Sequence, residues 1–176
     1  GYDGWSFYTH QAALLSMQGE PVWWGRGIDA LGARRTVSMD DANIVGYDDF
    51  YVQNPDKHPM ETLAALIRER GWDKGRIGVE MDNYYYSAAA HRSLTANLPE
   101  AQFTDTTGLV NWQRAIKSDK EIEYMRRAAR IVEAMHTAIL EKAEPGMPKN
   151  ELVAEIYRTG VLGADGHWGD YTAIVP

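Results

Sequence analysis

Arg114-Ala-Ile-Lys-Ser-Asp-Lys-Glu-Ile-Glu-Tyr-Met-Arg-Arg-Ala-Ala129 is the stretch that decides how this chain is built. Ser118 with Glu121 three residues later forms a capping box: the serine hydroxyl can accept a backbone N–H of the first turn while the glutamate reaches back to the serine N–H. Behind it Ile122, Met125, Ala129, Val132, Met135 and Ile139 recur every three or four residues. That period predicts a helix running to about Ala143, with one stripe against a core and Glu123, Arg126, Arg127, Arg130 and Glu133 toward water. The charge run reads as a solvated face rather than a ligand patch. Pro145-Gly146 breaks the helix. Pro148 opens a second one with Leu152, Val153 and Ile156 inward, and Gly160–Gly169 is expected to be a loop.

Upstream the pattern differs. Ala12–Met17 and Pro21–Gly25, separated by Gln18-Gly19-Glu20, read as a hairpin, followed by a short helical pattern at Ile28–Arg35 and a strand around Asn43–Tyr47. A polar loop through Asn54-Pro55-Asp56 leads to an amphipathic helix from Pro59 to Arg70, with Leu63, Leu66 and Ile67 on one face and Gly71 as its stop. Arg76–Met81 is a predicted strand, Ser87–Leu98 a helix, and Gln102–Asp105 another strand. This alternation is α/β. A domain boundary is expected near residue 116, dividing the chain into 1–116 and 117–176.

The chain has 176 residues, 44% hydrophobic and 24% charged, which suits one large domain or one domain and part of a second, with enough apolar residues for a core. Eighteen Lys and Arg against 25 Asp and Glu give a net charge of −7, which argues against nucleic acid as a partner. There is no cysteine, so disulfides, thiol nucleophiles and thiolate metal sites are excluded. No run of about 18 apolar residues exists, and the first 30 residues lack a signal-peptide layout, so the expectation is a cytoplasmic protein without a membrane partner. The stretch begins at Gly1-Tyr2 and stops in the β-rich Tyr171–Pro176. It reads as a fragment.

Several motifs bear on chemistry. Gly25-Arg-Gly27-Ile-Asp-Ala-Leu-Gly32 follows a strand, but its third glycine comes five residues after the second instead of three. A dinucleotide loop is thereby disfavoured against a plain turn. Gly4-Trp-Ser6-Phe-Tyr8 lacks the second glycine of a nucleophile elbow. His10, His58, His91, His136 and His167 are scattered singly with no i, i+4 pair, so no metal site is legible. Asp40-Asp41 and Asp48-Asp49 read as solvated loops. Two segments stand out. Trp5, Phe7 and Tyr8 surround Gly4 close to His10, an aromatic wall suited to a small apolar or cationic ligand, although core packing is the commoner role of such residues in a first strand. Gly166-His167-Trp168-Gly169-Asp170-Tyr171 places a His between glycines at the mouth of a β run, where loops carry function.

In this order the segments resemble the creatinase/prolidase/aminopeptidase P family. Arg114, Ile116, Lys117, Ser118, Glu121, Ile122, Ala128 and Ala129 fit its interdomain pattern. Gly27-Ile-Asp29, Arg76-Ile-Gly-Val-Glu80, Pro145-Gly-Met147 and Tyr171–Val175 match further segments. The resemblance implies an N-terminal ribonuclease-H-like α/β domain followed by the first helices of an incomplete α+β pita-bread domain. It also implies that the ligands of any divalent metal lie beyond Pro176, so that this stretch holds no catalytic residue, no metal and no cofactor of its own. Within the family, Gly1–Tyr8, Val45-Gly-Tyr47 and Gly169–Pro176 look most like the ectoine-hydrolysing branch. Creatinases carry an Arg shortly after the Gly-Trp that holds the substrate carboxylate, and Tyr8–Leu14 contains none. The resemblance thus implies a small-molecule substrate, an ectoine-like solute or else a dipeptide as in Xaa-Pro dipeptidases, and a homodimer. Trp5, Phe7, Tyr8, His10 and His167 are then the expected substrate-binding residues. A non-catalytic oligomerisation module is the alternative of another class.

Overall fold

The computed structural model describes residues 9–169 and divides into two units, Gly1–Asn111 and Trp112–Pro176. In the first unit the elements run β1 (Ala12–Leu14), β2 (Val22–Arg26), α1 (Gly27–Thr36), β3 (Ile44–Tyr47), α2 (Met60–Glu69), β4 (Gly75–Val79), α3 (Ala88–Asn97) and β5 (Ala101–Asp105). The helix α4 (Leu109–Ala115) carries the division, and α5 (Asp119–Lys142) and α6 (Lys149–Leu162) belong to the second unit. No helix among the described residues is long and apolar enough to cross a membrane.

β2 is the central strand of a three-stranded sheet, antiparallel to β1 and parallel to β3. Successive side chains of a strand point to opposite faces, and β2 uses this fully. Val22 and Trp24 enter a core built with α2 and α3, whereas Trp23 packs on the other face against Ala30, Ala33 and Ile44. Both faces are therefore covered, and four of the five β2 residues are buried. The amphipathic reading of α2 is correct: Leu63, Leu66 and Ile67 are buried, each contributing about 1.5–3 kcal/mol by leaving water. β4 and β5 form a second, parallel pair whose Ile77, Val79 and Phe103 pack against the same core.

The glycines expected to make a turn between β2 and α1 do something else. β2 runs straight into α1 with no loop. A Cβ on Gly46 of β3 would stand 2.8 Å from the Gly27 Cα, so the strand and the start of the helix touch backbone to backbone, and only a residue without a side chain fits there.

In the second unit the capping box is formed. Glu121 N–H donates to Ser118 Oγ at 3.3 Å and Ser118 N–H donates to Glu121 Oε2 at 2.7 Å. The hydrogen bonds from Ser118, backbone first, hold the Glu121 carboxyl below its usual range. Ser118→Ala is expected to destabilise the unit by about 1 kcal/mol. A urea midpoint unchanged by that substitution would contradict the role of the cap.

Two expectations need correction here. The α5 stripe is covered only in part: Ala138 is buried, but Met125 is 53% and Val132 49% exposed. α5 packs chiefly on α6, and one helix covers only a narrow stripe of another. Nor does a loop begin at Gly160, because α6 continues to Leu162. Its backbone there lies so near α5 that a Cβ on Gly160 would meet Met135 Sδ at 3.2 Å, so this glycine serves close packing of two helices. The helix α4 was not anticipated.

Candidate functional site

The first unit holds a small cavity of about 180 Å³ at the carboxyl end of β3. In a parallel pair such as β2 and β3, the crevice outside the carboxyl ends is where α/β folds commonly place ligands. Four segments meet there: Thr9 and His10 ahead of β1, Tyr47 at the end of β3, the connection containing Tyr51 and Asn54, and Lys57-His58-Pro59 leading into α2.

Each wall is fixed by its own hydrogen bonds. Tyr47 Oη donates to the His10 carbonyl at 2.9 Å, tying the end of β3 to the chain before β1. Asn54 Oδ1 accepts from the N–H groups of Asp56 and Lys57 at 2.9 and 3.1 Å, and its Nδ2 donates to the Phe50 carbonyl at 3.0 Å, so this side chain shapes the loop. His58 Nδ1 accepts the Met60 N–H at 3.2 Å. His10 and His58 lie edge to face with ring centroids 4.8 Å apart. Histidines that the sequence shows as isolated are thus brought into contact by the fold.

Burial, and then the neighbouring His58, push the His10 imidazole down to about 4. Burial likewise lowers His58, with Glu61 partly offsetting it. Both rings are therefore neutral at pH 7. Burial also pushes the Tyr47 phenol up to about 12, so it remains a donor. Arg26 at the end of β2 grips Asp49 with two hydrogen bonds of 2.7 and 2.8 Å. Asp29 beside it is raised mainly by burial, against the opposing pull of Arg26 and a hydrogen bond from Thr9.

A stability prediction follows for His10. The unfolded imidazole binds a proton near 6.5 and the folded one only near 4, so between these values the unfolded chain holds more protons. His10 thus allows full stability above about pH 6.5 and withdraws it as the pH falls toward 4. The urea midpoint is expected to drop between pH 7 and pH 5, and to drop less in His10→Phe. An equal drop in both proteins would refute the assignment.

The second unit carries His167. Asp165 and Gly166 have φ of 52° and 76°, and Ala164 and His167 exchange backbone hydrogen bonds of 3.0 and 2.9 Å. This is a two-residue hairpin of the type that Asp-Gly favours, because both central residues need positive φ. The Asp-Gly pair was therefore the overlooked signal in the segment read as loop. Exposed His167 and 90%-exposed Trp168 border an open groove with Tyr124, Arg127, Ala128 and Ile131. Lys120 and Arg127 lie over the Tyr124 ring at 4.9 and 5.6 Å, and Arg127 pairs with Glu123.

Of the residues expected at the site, His10 lines the cavity of the first unit and His167 the groove of the second. Trp5, Phe7 and Tyr8 lie outside the described residues. The sequence marks Tyr47 only as part of Val45-Gly-Tyr47 and His58 only as one of five scattered histidines, and neither they nor Tyr51 is among the expected site residues. Among the described residues no three His, Cys, Asp or Glu side chains gather in a way that could hold a metal ion.

The α/β unit has known counterparts. Residues 1–116 match the creatinase/prolidase N-terminal domain, and the chain belongs to that family. It is 58% identical to the ectoine hydrolase of Halomonas elongata over 100% of this chain and 46% of that protein. It is 30% identical to the creatinase of a Bacillus species, over 86% of this chain and 37% of that one. The fold is also that of an Xaa-Pro dipeptidase from Bacillus anthracis, with a TM-score of 0.63 and 22% identity over 88% of this chain and 40% of that structure. The chain spans less than half the length of these relatives.

Proposed function

We propose that the intact protein is a hydrolase of non-peptide C–N bonds in a small solute and that it opens the ring of ectoine. The observation that carries this reading is the 58% identity to an ectoine hydrolase across the whole of this chain. In the reaction, water adds to the amidine carbon, one ring C–N bond breaks, and the departing nitrogen takes a proton and becomes an amine. The oxygen stays behind as an amide carbonyl.

The residues of this chain bind and orient in that scheme. Ectoine carries an amidinium cation, and the lowered proton affinity of His10 keeps its ring neutral, so the imidazole adds no like charge of its own where the cation meets it. Trp5, Phe7 and Tyr8 beside His10, together with His167, are proposed to border the path of the substrate. Among the described residues no group of side chains fits a metal ion. Any divalent metal of the intact protein is proposed to be held downstream of Pro176, in a pita-bread domain, and the protein is proposed to act as a cytoplasmic homodimer.

The test is turnover by the intact protein. Incubation with ectoine is expected to release the ring-opened acetylated diamino acid, followed by NMR of the acetyl methyl, whereas Gly-Pro is expected to remain intact. Cleavage of Gly-Pro with ectoine untouched would replace this reading with that of an Xaa-Pro dipeptidase. Turnover of neither, with retained binding, would favour a binding module.

A further inference from the structure

Two ties hold the short stretch Thr9–His10 ahead of β1, and both start from the carboxyl ends of the parallel strands β2 and β3. The first is direct: Tyr47, the last residue of β3, donates from Oη to the His10 carbonyl at 2.9 Å. Tyr47 is itself held fast, being 4% exposed with its ring 4.8 Å from that of Trp24. The second tie comes from α1. Thr9 is buried, and its hydroxyl donates to Asp29 Oδ2 at 3.5 Å. Asp29 reaches it because the first turn of α1 sits on the end of β3: a Cβ on Gly27 would meet the Tyr47 carbonyl oxygen at 3.2 Å, and one on Gly46 the Gly27 Cα at 2.8 Å. Arg26, in register with Tyr47, grips Asp49 with both of its hydrogen bonds and so fixes the connection that follows β3. The His10 backbone is thus held while its ring meets His58 edge to face at 4.8 Å. With its carbonyl fixed, the ring keeps only its side-chain rotations, which fall into a few staggered wells.

We propose that Tyr47, assisted by Asp29 through Thr9, is a positioning residue that sets the place of His10 in the binding wall. This role rests on the reading of the protein as a small-solute hydrolase whose wall includes His10, and it adds the residue that places it. Packing against Trp24 needs only the ring of Tyr47. The hydroxyl serves a different end, because a buried hydroxyl is costly unless hydrogen-bonded, and its bond crosses to a residue 37 positions away in the chain. Tyr47 acts through the His10 backbone. A wall that holds ground state and transition state alike governs KM rather than kcat, so misplacing it weakens binding and spares the chemical step.

The experiment follows the kinetics of the intact protein on ectoine. Tyr47→Phe keeps the ring against Trp24 and removes only the tie, and is expected to raise KM about three- to tenfold with kcat within about twofold of wild type. Thr9→Val, which keeps the volume and loses the hydroxyl, is expected to raise KM less. His10→Ala is expected to raise KM at least as much as Tyr47→Phe. Adding Tyr47→Phe to His10→Ala is then expected to change KM by less than about twofold, because the phenol has no ring left to place. Full additivity of the two substitutions, or a wild-type KM in Tyr47→Phe, overturns the proposal. A readout independent of turnover separates its failure from that of the ectoine reading. In Tyr47→Phe the NMR titration of the His10 ring is expected to move from about 4 toward 6.5 as the loosened ring gains water. If ectoine is not turned over, the ectoine reading fails by itself; a moved His10 titration then upholds the positioning role, and an unmoved one overturns it.

Discussion

Trp24→Ala is expected to lower the unfolding free energy of the first unit by about 3–5 kcal/mol, the range for removing a fully buried large aromatic from a core. Trp24 is 0% exposed, its ring lies 4.8 Å from that of Tyr47, and its Nε1–H donates to Thr62 Oγ at 3.1 Å. Three consequences share that cost: a cavity, the lost aromatic contact, and an α2 no longer tied to β2. Trp24→Phe keeps most of the volume and gives up the hydrogen bond, so a smaller loss is expected. Because Tyr47 also lines the site, the Ala variant is expected to loosen the hydrogen bond to the His10 carbonyl and raise proton affinity at His10, visible by NMR of its ring. A loss under about 1 kcal/mol would show that this core collapses around the gap, against the reading of Trp24 as its centre.

Gly163→Ala carries the second large effect. Gly163 ends α6 with φ 78° and ψ −166°, a backbone region essentially closed to other residues. That conformation alone costs an alanine roughly 1–3 kcal/mol. Space forbids it as well, because a Cβ would stand 1.9 Å from the His167 carbonyl oxygen, a backbone atom with no rotamer to escape into. The hairpin of Ala164–His167 is therefore expected to detach from the end of α6. The readouts are lost hydrogen-exchange protection at the Ala164 and His167 amides and a lower unfolding midpoint. Protection at wild-type level would mean that the close approach is not required.

The parts of the fold that could be read early are those whose cause is local. Ser118 and Glu121 bond to each other across one helical turn, so three residues of sequence contain the whole interaction. α2 could be read because its buried face repeats with the helical period, and the β1–β2 pairing because a turn of Gln18-Gly19-Glu20 separates two apolar runs. Asp165-Gly166 was equally local and was overlooked, as was α4, whose Trp112 is 79% exposed and whose apolar residues make no clear buried face.

What the sequence determined by itself was thus the α/β order, the capped helix α5, the family resemblance and the identity of His10 and His167 as residues of interest. What only the tertiary structure decided was the environment of those residues. His58 became visible only when β3, its following loop and the start of α2 carried it to His10, since no spacing rule relates residues so far apart in the chain. The depressed proton affinity of His10 comes from burial among those segments and is absent from any local pattern. Likewise Gly46 reads as an ordinary strand glycine until Gly27 is folded against it. Periodicity and caps act over one or two turns, where sequence and geometry are the same information. Desolvation, ring contact and backbone approach depend on distances between distant segments, and those distances exist only once the chain has packed.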